Sequence, residues 1–100
     1  MKEEVIYCFN PEKNKKLIDS RGISFEEIIS LLETQGPLDV LENPKPEYRH
    51  QKIYIIDFSG YIYLVPFVEK ESQILLITII PSRKATKKYL LHAKEKNYVE

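Results

Sequence analysis

The sequence is poor in the residues that mark disulfide-rich, metal-binding and phosphate-loop proteins. Its single cysteine, Cys8, cannot form an internal disulfide and has no partner at a metal-ligand spacing. The two histidines, His50 and His92, also lack cysteine or carboxylate partners at ligand spacing, so we expect no bound metal and no cofactor. The three glycines all lie at predicted turns, which excludes a glycine-rich phosphate loop, and no G-x-S-x-G motif indicates a serine hydrolase.

Long apolar runs are also missing. No segment approaches the roughly 20 apolar residues needed to span a bilayer, and the N-terminal M-K-E-E lacks the apolar core of a signal peptide. With 43% hydrophobic and 30% charged residues, the chain of 100 residues has the composition of an ordinary globular protein. We therefore expect one cytoplasmic domain over residues 1–100, without a membrane partner.

Positive charge is segregated along the chain, although the formal net charge is zero. Residues 82–100 carry six basic and two acidic residues, and residues 11–21 carry four basic and two acidic ones. The intervening residues 22–81 carry nine acidic and four basic residues. This distribution predicts a folded domain with a basic groove on one side and an acidic face elsewhere.

The most informative segment runs from Ile74 to Leu90, I-L-L-I-T-I-I-P-S-R-K-A-T-K-K-Y-L. Its apolar stretch ends at Pro81-Ser82, and four cations follow at a predicted helix start: Arg83, Lys84, Lys87 and Lys88. Positive charge near a helix N-terminus opposes the macrodipole by roughly 0.3–1 kcal/mol for each well-placed cation. An anionic partner such as a phosphate would explain this placement; the alternative is a set of solvated side chains.

Capping signals predict three helices. The first lies between Asn10, an N-cap followed by proline, and the stop signal Gly22. The second begins at the capping box S-F-E-E, carries one apolar stripe and ends before Gly36-Pro37. The third extends from about Arg83 to Glu95.

Between the second and third helices the apolar pattern becomes that of strands. We expect an α+β fold, in which the helices pack on one face of a small antiparallel sheet of three or four strands. Pro66 cannot donate to a strand ladder, so its strand lies at an edge or carries a bulge there. A weaker strand is indicated at Val5–Phe9, and the strands of the sheet are predicted at Leu38–Leu41, Lys52–Phe58, Tyr61–Val68 and Ile74–Ile80.

The remaining polar residues suit metal-independent acid–base chemistry. RNA cleavage fits such a set, because the substrate's own 2′-OH attacks and the protein needs only to move protons and stabilise charge. Arginine stabilises such charge through its fixed fork of donors. Tyr48, Arg49 and His50 form a compact polar set before the predicted hairpin, and His50 is a candidate for proton transfer. The alternative is that His50 is an ordinary loop residue. Tyr89 is a second proton-transfer candidate or, from its place on the apolar side of its helix, a core residue.

Two motifs resemble those of the BrnT-type toxins of bacterial toxin–antitoxin pairs. The segment Phe9–Ile28, F-N-P-E-K-N-x-x-L-x-x-x-R-G-I-S-F-E-E-I, is similar to the family's W-D-x-x-K-x-x-x-N-x-x-K-H-G-V-S-F-E-E-A, and I-I-P-S-R-K-A-T at residues 79–86 is similar to I-I-S-A-R-K-A-T. The resemblance implies a RelE-like α+β fold and a metal-free ribonuclease that inhibits translation. It also implies neutralisation by a DNA-binding antitoxin of the ribbon–helix–helix type, in a hetero-oligomer.

Several residues of this sequence can be matched to the family's motifs. Lys13 matches the lysine of the first helix, and Arg83 and Lys84 match the pair that follows the last strand. The sequence departs from the family's pattern at four places. It has Phe9 where the family has tryptophan, Asn10 where the family has aspartate, and Pro81-Ser82 where the family has Ser-Ala. It also has Thr78 where many members carry a further arginine.

Two functional hypotheses follow. In the first, the protein is a ribonuclease in which Arg83 stabilises the transition state and His50 or Tyr89 transfers a proton. The RNA backbone is then held by Lys13, Arg49, Lys84, Lys87 and Lys88. In the second hypothesis, the protein is a non-catalytic basic module that binds an acidic antitoxin or a nucleic acid without turnover.

Overall fold

The structure, a computed structural model, describes residues 4–91. A short strand, two helices, a run of strands and a further helix follow one another, which confirms the α+β class. The elements are β1 (Ile6–Cys8), α1 (Pro11–Arg21), α2 (Phe25–Thr34), β2 (Asp39–Glu42), a 3₁₀ turn (Pro46–Tyr48), β3 (Lys52–Phe58), β4 (Tyr61–Lys70), β5 (Gln73–Leu76), β6 (Ile80–Pro81), α3 (Arg83–Thr86) and a π-helical turn (Lys87–Leu91). Among these residues, no helix has the length and apolar character to cross a membrane.

The six strands form one mixed sheet. Its order is β1-β5-β4-β3-β2, and β6 pairs with β4 beyond the end of β5. β1 runs parallel to β5, whereas the other described pairs are antiparallel. The predicted sheet of three or four antiparallel strands is therefore wrong in number and direction. The weak N-terminal segment joins the sheet as an edge strand, and the last predicted strand divides in two.

Pro66 accounts for the interruption of the strand predicted at Ile74–Ile80. The last β4–β5 pair is Phe67 with Leu76, and the next pair, between β4 and β6, is Leu64 with Ile80. Between these pairs β4 advances by three residues, whereas the facing chain advances by four. The Pro66 carbonyl accepts the Ile77 N–H at 2.8 Å, but proline has no N–H with which to return the bond. The extra residue forms a bulge between β5 and β6, and β4 is a central strand rather than an edge.

α1 and α2 form where the capping signals predict them. The Asn10 side chain accepts two N–H groups of the first turn of α1 at 2.8 and 3.2 Å, and Gly22 ends this helix with φ 69°. Ser24 and Glu27 form the capping box of α2, in which each side chain accepts the other residue's backbone N–H.

Successive side chains of a strand point to opposite sides, which divides the sheet into a first and a second face. The first face is covered by α1 and α2, and the main hydrophobic core lies between them. On this face the rings of Tyr54 and Phe67 stack with their centroids 3.9 Å apart. Helix side chains that pack against it include Leu17, Phe25, Ile28 and Leu32.

The second face of the sheet is covered in part by α3 and the π-helical turn. Ile55 and Ile62 point to this face and are 1% and 0% exposed. Ile55 and Leu64 lie across a cavity of about 200 Å³ from Ala85 and Tyr89. The prediction that all helices pack on one face is therefore wrong. β3 and β4 are apolar on both faces, and each face requires a cover.

The third helix is also shorter than predicted. It has α-helical geometry only over Arg83–Thr86 and continues as the π-helical turn to Leu91, whereas its predicted end at Glu95 lies outside the described residues. A single α-helical turn aligns few peptide dipoles, so the macrodipole no longer supports a phosphate at its start. The significance of the four cations rests on where the fold places them.

Candidate functional site

Ile62 of β4 holds the first turn of α3 in place. Its N–H donates to Thr86 Oγ1 at 2.9 Å, and its carbonyl accepts the Ser82 N–H at 3.0 Å. Ser82 Oγ in turn accepts the Ala85 N–H at 3.1 Å, while Thr86 Oγ1 donates to the Ser82 carbonyl at 2.8 Å. Because Ile62 is fully buried, this turn is anchored to the interior of the sheet, and the exposed Arg83 leaves it at a fixed position.

The cations after β6 and one tyrosine form a surface that we call the basic surface: Arg83, Lys84, Lys87, Lys88 and Tyr89. All of them except Arg83 line one cavity. Lys84, Lys88 and Tyr89 also line the neighbouring cavity above Ile55. Positive groups gathered around one concavity attract an anion, and π-helical turns such as Lys87–Leu91 occur frequently at functional sites.

Tyr89 connects the basic surface to the edge strand β2. Its hydroxyl donates to Asp39 Oδ2 at 3.1 Å, and Asp39 Oδ1 accepts the Val40 N–H at 2.8 Å. Desolvation and the hydrogen bond to the Asp39 carboxylate raise the pKa of Tyr89 above its ordinary value of 10.0, at which the phenol is already protonated at neutral pH. Lys88 Nζ lies 5.4 Å from the centre of the Tyr89 ring. Tyr89 is therefore a partly exposed proton donor and lies outside the buried core.

Arg49 and His50 lie apart from the basic surface. Both are exposed and follow the 3₁₀ turn, just before β3 begins at Lys52. Lys52 faces Phe67 of β4, whereas α3 is anchored at Ile62, and these two positions on β4 are about 16 Å apart at ~3.3 Å per residue. Neither Arg49 nor His50 is among the described residues that line the two cavities.

The sheet also separates Lys13 from the basic surface. Lys13 is exposed on α1, which packs on the first face, whereas α3 packs on the second face. Thr78 lies half-buried in the bulge between β5 and β6. The structure thus brings together the cations that are close in sequence and leaves the distant ones apart.

Two residues near this region were not indicated by the sequence. Asp39 is a single acid at the start of a short strand, and its bond to Tyr89 joins residues 50 positions apart. Arg21, the last residue of α1, donates from Nη1 to the Ile79 carbonyl in the bulge before β6. Neither contact has a local sequence signal. Among the described residues, no cluster of three or more histidine, cysteine, aspartate or glutamate side chains could hold a metal ion.

Comparisons with known proteins give one family and one solved structure. Residues 9–88 match the family model described as the ribonuclease toxin BrnT of type II toxin–antitoxin systems. The fold is similar to the solution structure of the conserved hypothetical protein HP0894 from Helicobacter pylori, with a TM-score of 0.50 and 16% identity over 77% of this chain and 93% of that one. At this identity the likeness concerns the fold alone. No curated protein sequence matches the chain.

Proposed function

Because the chain belongs to the BrnT family of ribonuclease toxins of type II toxin–antitoxin systems, we propose that it is a metal-independent endoribonuclease that inhibits translation until a cognate antitoxin neutralises it. The observation that carries this proposal is the basic surface. Its cations and a protonated phenol lie on the anchored turn of α3 and on the π-helical turn that follows, and all of them except Arg83 line the adjacent cavities. Charge stabilisation and proton donation are the two tasks that RNA cleavage requires of a protein.

The proposed reaction begins with attack of the RNA 2′-OH on the adjacent phosphorus. The new bond joins the 2′-oxygen to phosphorus, the bond from phosphorus to the 5′-oxygen breaks, and the 2′-OH proton passes to water. Arg83 and Lys84 stabilise the negative charge that builds on the phosphoryl oxygens, while Lys87 and Lys88 hold the flanking backbone. Tyr89, which keeps its proton at neutral pH, donates to the departing 5′-oxygen. Of the two predicted proton-transfer residues, Tyr89 is the better placed, since His50 lies toward the other end of β3.

The proposal includes finer features. The resemblance to the family implies a RelE-like form of the fold and a ribbon–helix–helix antitoxin bound in a hetero-oligomer. The chain length and composition are the basis for a single domain over residues 1–100 and a cytoplasmic location. The roles of Lys13 and Arg49 in holding RNA are proposed only as distant backbone contacts, because neither residue lies on the basic surface.

RNA cleavage by the purified chain tests the proposal. Arg83→Ala should reduce the cleavage rate about 10²–10³-fold, the usual effect of removing one donor to a developing oxyanion. Lys16→Ala, which removes an exposed cation from α1, is the matched control and should cleave like the parent. Excess EDTA should leave the parent's rate unchanged.

Three results would contradict this function. They are loss of cleavage in EDTA, equal cleavage by Arg83→Ala and the parent, and RNA binding by the parent without any cleavage. The last of these would favour the non-catalytic binding module.

A further inference from the structure

A cluster of aromatic side chains stands on the first face of the sheet where β3 turns into β4. The ring centroids of Tyr61 and Tyr63 are 5.8 Å apart at 65°, and those of Phe58 and Tyr63 are 6.1 Å apart at 75°. Phe58 and Tyr63 pack against the hydrophobic core, whereas Tyr61 is not among the described residues that do so. Tyr61 is partly exposed at the first position of β4, so its ring can be reached from solvent.

The hairpin that presents Tyr61 is closed by a tight two-residue turn. Ser59 and Gly60 both have positive φ, 56° and 81°, as a two-residue hairpin turn requires. The Gly60 N–H also donates to Asp57 Oδ1 at 3.1 Å. A ring held on such a turn loses little conformational entropy when a ligand covers it.

The hydrogen bond between Ser82 and Ile62 brings the start of α3 close to the start of β4. Tyr63 pairs with Pro81, and the Ser82 N–H donates to the carbonyl of Ile62 at 3.0 Å. Arg83, the first residue of α3, follows Ser82, and Tyr61, the first residue of β4, precedes Ile62, so each is the immediate neighbour of one partner in this bond. Within the described residues no strand pairs with the outer side of β6, so this edge is accessible.

A guanidinium and an aromatic ring on two such neighbouring residues match the two parts of one nucleotide. The guanidinium binds a phosphate through parallel hydrogen bonds, and the ring stacks on a base that is one ribose away. Base-paired RNA keeps its bases stacked within the duplex, so such a pair selects single-stranded RNA. Arg21 brings a second guanidinium to the same edge, where it donates to the Ile79 carbonyl.

We propose that Tyr61 is a base-stacking site for single-stranded RNA, next to the phosphate bound by Arg83. The site extends the basic surface around the edge of the sheet and onto the first face. The identity of its ligand, RNA, rests on the proposed function, but Tyr61 is not one of the proposed catalytic residues.

A tryptophan reporter tests the site directly. The chain contains no tryptophan, so Tyr61→Trp introduces a single fluorophore at the proposed contact. Ile6→Trp is the control, because Ile6 is 54% exposed on the edge strand β1, away from every residue that is proposed to bind RNA. The probe is a single-stranded 2′-O-methyl RNA oligonucleotide, which binds but cannot be cleaved because its 2′-oxygen is blocked. We expect the oligonucleotide to quench Trp fluorescence in Tyr61→Trp and to leave that of Ile6→Trp unchanged.

The affinity for the same oligonucleotide, labelled and followed by anisotropy, provides a second measurement. Tyr61→Ala should weaken binding about tenfold or more, the usual effect of losing one base stack, while Tyr61→Phe keeps the ring and should remain within about twofold of the parent. Tyr61→Ala should leave the salt dependence of binding unchanged, whereas Arg83→Ala should lower its slope by about one. Circular dichroism of each variant checks that it is folded.

The outcomes distinguish this site from the proposed function. If the parent cleaves RNA but Tyr61→Ala binds the oligonucleotide like the parent and Tyr61→Trp shows no quenching, the stacking site is wrong and the ribonuclease stands. If quenching and weakened binding are observed but the parent cleaves no RNA, the stacking site stands and the ribonuclease is wrong. A parent that binds no single-stranded RNA overturns both.

Discussion

Asn14 offers a quantitative test of how the two N-terminal helices are joined. It is a polar residue within the core, only 8% exposed, and it makes two hydrogen bonds to the start of α2. Its Oδ1 accepts the Phe25 N–H at 2.7 Å, and its Nδ2 donates to Glu26 Oε1 at 2.8 Å. Phe25 is the first residue of α2, where a helix has no internal acceptor for the N–H. Asn14 therefore supplies an acceptor that the helix lacks.

The expected loss of stability in Asn14→Ala follows from the Phe25 N–H. Phe25 is 0% exposed, so water cannot readily replace the lost acceptor. A buried donor left without a partner costs about 1–3 kcal/mol, and we expect a free energy of unfolding lower by about 2 kcal/mol. For a domain of this size that corresponds to a melting temperature lower by roughly 8–16 °C. The Glu26 carboxylate is exposed, so the expected loss in the free energy of unfolding includes no contribution from the hydrogen bond to it.

Urea denaturation followed by circular dichroism measures this loss. Asn14→Asp keeps an oxygen acceptor for the Phe25 N–H but places a second carboxylate beside Glu26. This variant therefore distinguishes the effect of the hydrogen bond to Phe25 from that of the hydrogen bond to Glu26. Ser20→Ala is the control, because Ser20 is exposed on the same helix and bonds only a carbonyl of its own turn. If Asn14→Ala unfolds within about 0.5 kcal/mol of the parent, the change is no larger than that of an ordinary surface substitution, and the reasoning is refuted.

The same residue predicts a pH dependence of stability. The hydrogen bond from Asn14 is the main cause that lowers the pKa of Glu26 from its ordinary value of 4.5. A carboxyl whose pKa is lower in the folded state stabilises the protein above its unfolded pKa, and this contribution is lost as the pH falls through the folded pKa. The parent should therefore lose more stability than Asn14→Ala below about pH 4.5. Parallel acid-unfolding curves for the two proteins would contradict this assignment.

The second face of the sheet and the partner protein lead to three further predictions. Asp39→Asn removes the carboxylate that helps raise the pKa of Tyr89, so the alkaline limit of RNA cleavage should move to lower pH. Tyr89→Phe should abolish that limit. An unchanged limit in Asp39→Asn would contradict the pairing of Asp39 with Tyr89. Thr86→Val leaves the buried Ile62 N–H without its acceptor and should lower the free energy of unfolding by about 1–3 kcal/mol in urea denaturation, whereas Thr86→Ser should match the parent, and equal losses would refute the role of the hydroxyl. Co-expression with an antitoxin encoded next to the gene of this chain should give a co-purifying complex that no longer cleaves RNA. A chain that purifies alone and stays active would contradict the antitoxin partnership.

The parts of the fold that are specified locally were predictable from the sequence. Ser24 and Glu27 are three residues apart, and their capping box forms as expected because both partners lie in one turn. The hairpin at Ser59-Gly60 is likewise decided by two residues with positive φ. In both cases the side chains and backbone that interact are close in sequence, so the physical cause can be identified without the tertiary structure.

The parts that depend on distant contacts were not predictable. β1 has three residues and no strong strand pattern, and it joins the sheet by parallel pairing with β5, which lies more than sixty residues later. A bulge at Pro66 was one of the two predicted alternatives, but its position on the facing chain, where Ile77 donates to the Pro66 carbonyl, was not predicted. The candidate site divides in the same way. Lys84 and Lys88 were expected together because one turn separates them, whereas the Asp39 partner of Tyr89 has no local signal.

The two faces of the sheet place stability and proposed chemistry on different sides. The main core lies on the first face between α1, α2 and the sheet, while the basic surface lies on the second face and rests on a short helical turn held by Ser82 and Thr86. Arg83, Lys84 and Lys88 are exposed, so their substitution by alanine removes charge without opening the core. Tyr61 stands on the first face but lies outside the described core cluster, and the same argument applies to it. A loss of RNA cleavage or binding in these variants can therefore be assigned to the interface rather than to unfolding.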